Sequence, residues 1–191
     1  MNDSETVTHI LDVAQALAQK RGYHGFSYRD LSEQIGIKTS SIHYHFPSKG
    51  DLGRALVERY RASFQAAFAQ IDTTEHDPRM KLKRYVELFR QTLADGEKVC
   101  LCGMLATDAL TLPVIVREEV QEFVVENEVW LTRVLEEGQH AHLFRSDIET
   151  TTEAAALFAA LEGAMIVARG FGDMERFTRT SALLLASLET Q

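Results

Sequence analysis

Gly36-Ile37-Lys38-Thr39-Ser40-Ser41-Ile42-His43-Tyr44-His45-Phe46-Pro47-Ser48-Lys49 is the stretch on which the fold turns. A helix signal ends at Gly36. A very short helix follows, about Thr39 to His45, crowded with hydroxyls, imidazoles and a phenol. Pro47 stops it, and Ser48-Lys49 opens the next. A helix this short has little core of its own, so its hydrogen-bonding groups point to a contact helix, and the major groove of DNA suits them. Ile42 and Phe46, four apart, can face a core. Lys38, Thr39, Ser40, Ser41, His43, Tyr44 and His45 then lie outside. Small hydroxyls can approach base edges, and Thr39 adds a methyl for thymine. Tyr44 and free N–H groups suit phosphates. Lys49 in a first helical turn opposes the helix dipole, which makes sense beside a phosphate. Ser27, Tyr28 and Arg29, at the start of the preceding helix, are read the same way. The alternative is an ordinary three-helix packing unit with these rings merely at its surface.

Outward from this stretch the pattern is helical throughout. A helix from about Ser4 to Arg21 puts Val7, Ile10, Leu11, Ala14, Leu17 and Ala18 on one face and ends at Gly22. Ser27 with Asp30, and Ser48 with Asp51, have capping-box spacing. The helix after Ser48 turns Leu52, Leu56, Tyr60, Phe64 and Phe68 inward. Asp72 to Asp77 reads as a polar linker, placing a domain boundary between residues 70 and 71. Beyond it Asp77-Pro78 starts a helix to about Ala94, closing at Gly96. A short helix is expected near Cys102 to Leu110. A long one runs from Leu112-Pro113 to Gly138. Thr150 with Glu153 caps another to about Gly170, and Asp173 opens the last. The expectation is an all-α chain of about nine helices.

Among the 191 residues, 45% are hydrophobic and 25% charged, an ordinary globular composition. Residues 1–5 lack a leader pattern. The longest apolar run, Ala154 to Ala168, is short for a membrane span and contains Glu162 and Gly163. A cytoplasmic protein without a membrane partner is the expectation. The net charge of −8 is uneven. Residues 1–70 hold eight Lys/Arg and seven Asp/Glu, and residues 71–191 hold twelve and twenty-one. A near-neutral first part has to bind DNA by local placement of cations, not by a strong overall field.

Gly25-Phe26-Ser27, Asp30-Leu31, Ile35-Gly36-Ile37, Ser41-Ile42-His43-Tyr44-His45-Phe46 and Ser48-Lys49-Gly50-Asp51-Leu52 together resemble the DNA-binding domain of the TetR family of repressors. His43 stands where that family commonly has tyrosine. The resemblance implies a helix-turn-helix DNA-binding domain over 1–70. It also implies a helical ligand-binding and dimerisation domain over 71–191, and a homodimer on a palindromic double-stranded DNA operator.

The second part offers four candidate features. Ala156, Ala160, Gly163 and Leu184 lie on helices rich in small and apolar residues, which are either central core or an oligomer interface. Tyr85, Phe89, Leu93, Met104, Phe123, Trp130 and Met165 either line a pocket for an apolar or aromatic small-molecule inducer or are plain core. Glu162, alone in an apolar helix, either makes a buried polar contact or reaches solvent or an arginine across an interface. Cys100 and Cys102 are either small buried groups or, as the resemblance to electrophile-responsive members implies, a redox sensor. Two thiols make no metal site, which wants four ligands, and nothing in the spacing of His140 and His142 adds the others.

No Gly-rich phosphate loop, nucleophile elbow or H-E-x-x-H occurs, so neither an enzyme nor a cofactor is expected. A ligand-responsive repressor is the leading expectation. A helical adaptor that binds only protein is the remote alternative.

Overall fold

The computed structural model describes residues 3–96 and 98–190. Nine helices are present among the described residues: α1 (Asp3–Arg21), α2 (Tyr28–Ile35), α3 (Thr39–His45), α4 (Lys49–Thr74), α5 (Pro78–Ala94), α6 (Leu101–Ala106), α7 (Val114–His140), α8 (Thr150–Phe171) and α9 (Met174–Leu188). No strand occurs among them; the one bridge, Phe144 with Glu189, ties the end of α9 to the loop before α8. The chain forms two compact units. The first holds residues up to 62 with Leu101–Phe123, and the second holds Ser63–Cys100 with residues from 124 on. Helices α4 and α7 therefore each give one end to each unit.

In the first unit, Ile10, Leu11, Ala14, Leu17 and Ala18 of α1 are buried as the heptad-like spacing requires. Leu31, Ile42, Leu52 and Leu56 complete this core, with Val116, Val120 and Phe123 from α7. Gly53 permits the closest approach. A Cβ there would lie 2.9 Å from both Tyr23 and Val116 side chains.

In the second unit the core is aromatic. Trp130 stacks on Phe68 at 4.8 Å and on Tyr85 at 5.4 Å, and Tyr85 meets Phe89 at 5.2 Å. Helix α8 packs against α5 and α9. Its length and mean hydropathy of 1.5 would permit a membrane span. Glu162 in its buried face instead suits a core helix of a globular unit.

Several expected boundaries shift, each for a local reason. The stretch from Asp72 is no linker, because α4 continues to Thr74. Asp72 accepts hydrogen bonds from Trp130 Nε1 (3.2 Å) and Arg133, and pairs with Lys81 at 3.2 Å. Burial works to raise the Asp72 carboxyl, but these partners together hold it below the usual range. The short helix after Cys100 ends at Ala106, and hydrogen-bonded turns through Asp108 replace its second half. Gly138 does not end α7, which continues to His140. It is a glycine because the Phe144 ring lies against it, 1.9 Å from where a Cβ would stand. Glu149, not a Thr150–Glu153 pair, caps α8 by accepting from the N–H groups of Thr151 (3.1 Å) and Thr152 (2.7 Å). Gly172 closes that helix in the left-handed region, two residues beyond Gly170.

Candidate nucleic-acid interface

The helix pair α2–α3 is set by short-range chemistry. Ser27 caps α2 reciprocally with Asp30: the Ser27 N–H donates to the carboxylate at 2.7 Å, and the Asp30 N–H donates back to Ser27 Oγ at 3.4 Å. Those hydrogen bonds hold the Asp30 carboxyl below its ordinary range. Gly36 ends α2 at φ 77°, a left-handed conformation that favours glycine. Open space surrounds its Cβ position, so backbone conformation and not crowding selects the residue. Ser32 Oγ then donates to the Ile37 carbonyl at 2.8 Å and fastens the turn.

Helix α3 starts at Thr39 after Lys38, with no side chain capping its first N–H groups. Ile42 is fully buried and Phe46 nearly so. This anchor leaves the opposite face outward: Lys38, Ser40, His43 and Tyr44 are exposed, and Thr39, Ser41 and His45 are half-buried. Tyr44 is 75% exposed, with only an edge contact to His45 at 4.9 Å. His43 packs edge-on against Tyr28 at 4.6 Å, and its Nδ1 lies 3.3 Å from the Pro47 carbonyl. Ser48 and Asp51 form the second capping box, which starts α4 and carries the chain away from α3.

Two residues expected at phosphates have other partners. Tyr28 is buried, and its hydroxyl lies 2.9 Å from the Phe46 carbonyl and 2.6 Å from that of Ser48. It pins the start of α2 to the α3–α4 turn, and burial pushes its pKa up. The Lys49 ammonium donates to the Phe26 carbonyl and lies over the rings of Phe26 (4.4 Å) and Tyr23 (4.8 Å). Burial lowers its pKa, while Asp30 and Asp108 oppose that shift. Arg29 is fully outward but pairs with Glu33 at 2.8 Å. Of the expected cations, Lys38 is exposed at the start of α3.

Sequence reasoning missed that Leu101–Phe123 belongs to the same unit as this helix pair. His24 Nε2 and Thr111 Oγ1 are 2.9 Å apart, Arg61 pairs with Glu119, and Tyr60 faces Phe123 at 5.4 Å. The available signal was Gly53 in the middle of an apolar helix face.

The pocket candidates are divided between the units. Met104 and Phe123 lie in the first; Tyr85, Phe89, Leu93, Trp130, Glu162 and Met165 lie in the second. Tyr85, Phe89, Trp130 and Met165 are buried, and Leu93 borders a groove with Ala168, Arg169 and Met174. Glu162 is buried, and apart from the weak thiol donor of Cys100 its carboxylate oxygens have no hydrogen-bond partner among the described residues. Burial pushes its carboxyl up to about 7, with the neighbouring Cys100 thiol acting weakly in the opposite direction. Asn127 was overlooked. It is fully buried three residues before Trp130 and accepts from the Tyr85 hydroxyl at 2.8 Å. A lone amide in the apolar stripe of α7 was its sequence signal. Cys100 and Cys102 are both buried.

The small-residue stripe faces outward. Ala156 and Gly163 are exposed, Ala160 and Leu184 half-buried. Around them Ile166, Val167, Phe171 and Leu183 are 45%, 50%, 67% and 71% exposed.

Comparison with known proteins agrees with this geometry. Residues 10–56 match the family described as bacterial regulatory proteins, tetR family, and residues 78–184 match a tetracyclin repressor-like C-terminal domain. The chain is 26% identical over 148 residues to the HTH-type transcriptional repressor KstR2 of Rhodococcus jostii, covering 74% of this chain and 69% of that one. A TetR-family transcriptional regulator from Agrobacterium tumefaciens shares the fold at TM-score 0.95 and 33% identity, over 99% of this chain and 100% of that one. A TetR regulator from Legionella pneumophila follows at 0.89 and 32%, over 99% and 100%. These relatives are DNA-binding regulators and not enzymes. With its buried-anchor contact helix, all-helical second unit and two matched segments, the chain belongs to the TetR family of transcriptional regulators.

Proposed function

We propose that the protein is a cytoplasmic, homodimeric repressor whose α3 enters the major groove of a palindromic operator and which a small apolar or aromatic inducer releases. The observation that carries this is the two-faced α3, with Ile42 fully buried and Tyr44 75% exposed on a helix of seven residues. Lys38, Thr39, Ser40, Ser41, His43, Tyr44 and His45 supply the groove contacts, while Ser27 and Arg29 flank them. Tyr28 and Lys49 act by holding the helix pair in shape. Residues 1–70 form the DNA-binding part and 71–191 the sensing and dimerising part, coupled through Leu101–Phe123, which shares the first unit. Two copies joined through the exposed apolar residues of α8 and α9 set paired α3 helices about one helical turn of DNA apart, roughly 34–36 Å. The inducer needs only to bind the DNA-incompetent arrangement better than the competent one.

Fluorescence anisotropy against DNA from upstream of the protein's own gene, repeated across salt, tests this. Specific binding that weakens steeply with salt is expected. If no DNA competes specifically at low salt, the protein is a helical adaptor instead.

A further inference from the structure

Glu162 of the second unit is a buried ionisable side chain without a strong partner among the described residues. It is buried in α8, and the Cys100 thiol is the donor that acts on its carboxylate. Tyr85, from α5, is close enough for Glu162 to raise its pKa. Its hydroxyl, however, already donates to Asn127 Oδ1 at 2.8 Å. Cys100 offers only a thiol, a weak donor. The influences on the carboxyl are burial, which raises it, and the Cys100 thiol, which lowers it. Lys81, the buried cation of α5, is committed to Asp72 at 3.2 Å and Glu137 at 2.6 Å. The buried residues of α9 are Phe177, Ser181 and Leu188, and none is charged.

A chain of rings runs from the helix that carries this carboxyl to Tyr85, whose pKa the carboxyl raises. Phe158 lies one turn before it on α8 and meets Phe89 at 6.5 Å. Phe89 meets Tyr85 at 5.2 Å, and Tyr85 stacks on Trp130 at 5.4 Å. A cluster of rings beside a carboxylate that has only a weak thiol donor is the chemistry that recognises an organic cation. The rings attract positive charge through their quadrupoles, and the carboxylate supplies a counter-ion away from water.

We propose that Glu162, next to the ring cluster of Tyr85, Trp130, Phe89 and Phe158, is the counter-ion for an inducer carrying a positive charge, an aryl- or alkylammonium compound. This rests on the proposed small-molecule release and specifies its ligand class. The rings pack together in the present arrangement, so the cation enters by parting them, as in a pocket that ligand binding makes dominant.

Proton linkage follows. Burial pushes the carboxyl up to about 7, so part of the empty protein holds a proton there at neutral pH. An ammonium ligand binds the ionised form and expels that proton. Affinity therefore tightens as pH rises through 7, by about tenfold between pH 6 and 8.

Trp130, the chain's single tryptophan, is a local reporter. Its fluorescence is titrated in full-length wild type and Glu162→Gln with benzyltrimethylammonium and with neopentylbenzene, its neutral isostere. Wild type should bind the cation about 10-fold more tightly at pH 8 than at pH 6, and more tightly than the isostere. Glu162→Gln should lose both the pH dependence and the preference for charge. Glutamine keeps the shape of the side chain, and a thermal melt confirms folding. Absence of binding by the cation, equal binding of the two probes, or an unchanged pH slope in the variant overturns the proposal. Operator anisotropy separates the two ideas. Release by neutral compounds alone keeps small-molecule induction and removes the cation. Glu162-dependent cation binding that never releases DNA keeps the site and removes induction.

Discussion

The Lys49 ammonium donates to the main-chain carbonyl of Phe26 and at the same time lies 4.4 Å from the centroid of the Phe26 ring. One side chain at the start of α4 thereby holds the segment that leads into α2. Lys49→Met keeps most of the apolar stem and removes both polar contacts. It should cost about 1–2 kcal/mol of stability, read as a lowered urea midpoint with unchanged slope. An unchanged midpoint together with weakened DNA binding would restore Lys49 to the phosphate-contact role that its sequence position implies.

Tyr28→Phe removes the hydroxyl shared between the Phe46 and Ser48 carbonyls. The loss should be about 1–2 kcal/mol, and operator affinity should fall because the α3–α4 turn is no longer pinned. Tyr44→Ala should behave oppositely. At 75% exposure its stability effect should stay within about 0.5 kcal/mol, while affinity drops for all DNA sequences. Melts and anisotropy on the same two variants make the comparison.

Gly138 and Gly163 should respond oppositely to the same methyl. Gly138→Ala drives a Cβ into the Phe144 ring, where only 1.9 Å is available, and should destabilise by about 1–3 kcal/mol or more. Gly163 has nothing within 4 Å, so within one copy Gly163→Ala favours the helix by up to about 1 kcal/mol. If α8 meets a second copy there, a larger side chain is not tolerated. Sedimentation of Gly163→Leu should then show monomer where wild type is dimeric.

Glu162 makes stability depend on pH with a definite sign. Its folded pKa, about 7, lies above the ordinary 4.5. Its favourable contribution is thus complete below about pH 4.5 and is lost as pH rises through 7. Glu162→Gln should lie within about 1 kcal/mol of wild type near pH 5 and exceed it by about 3 kcal/mol at pH 8. Paired denaturant melts at pH 5, 6, 7 and 8 check this. A difference that stays constant across the series would mean that the carboxyl is not desolvated.

Asp30 and Asp51 have the reverse dependence. Hydrogen bonds from Ser27 and Ser48 lower both carboxyls. Their capping contribution is present above the ordinary carboxylate pKa and fades as pH falls through the lowered values. Amide exchange in the first turns of α2 and α4 should accelerate at acid pH, and Asp30→Asn should remove that change for α2.

Local signals were legible where the chemistry is local. The capping boxes at Ser27 and Ser48, the left-handed Gly36, and Ile42 beneath an exposed polar face all follow from spacings of three or four residues. So did the inward row of α4, from Leu52 to Phe68. Errors arose where a local signal had a distant cause. Gly138 resembled a helix end but makes room for Phe144. Lys49 and Tyr28, expected at phosphates, also bond to carbonyls 23, 18 and 20 residues away in the chain, which no local spacing announces. Asp72 resembled a linker residue but gathers Lys81, Trp130 and Arg133.

By itself the sequence determined an all-helical chain with a short contact helix, because helix periodicity, caps and breakers act over one turn or less. Only the tertiary structure decided which polar groups are spent inside the protein and which remain free. Hydrogen bonding at a buried site depends on who arrives from other helices. For that reason Lys49 became a clamp, Tyr44 stayed outward, and Glu162 was left as the carboxylate that no neighbouring helix neutralises.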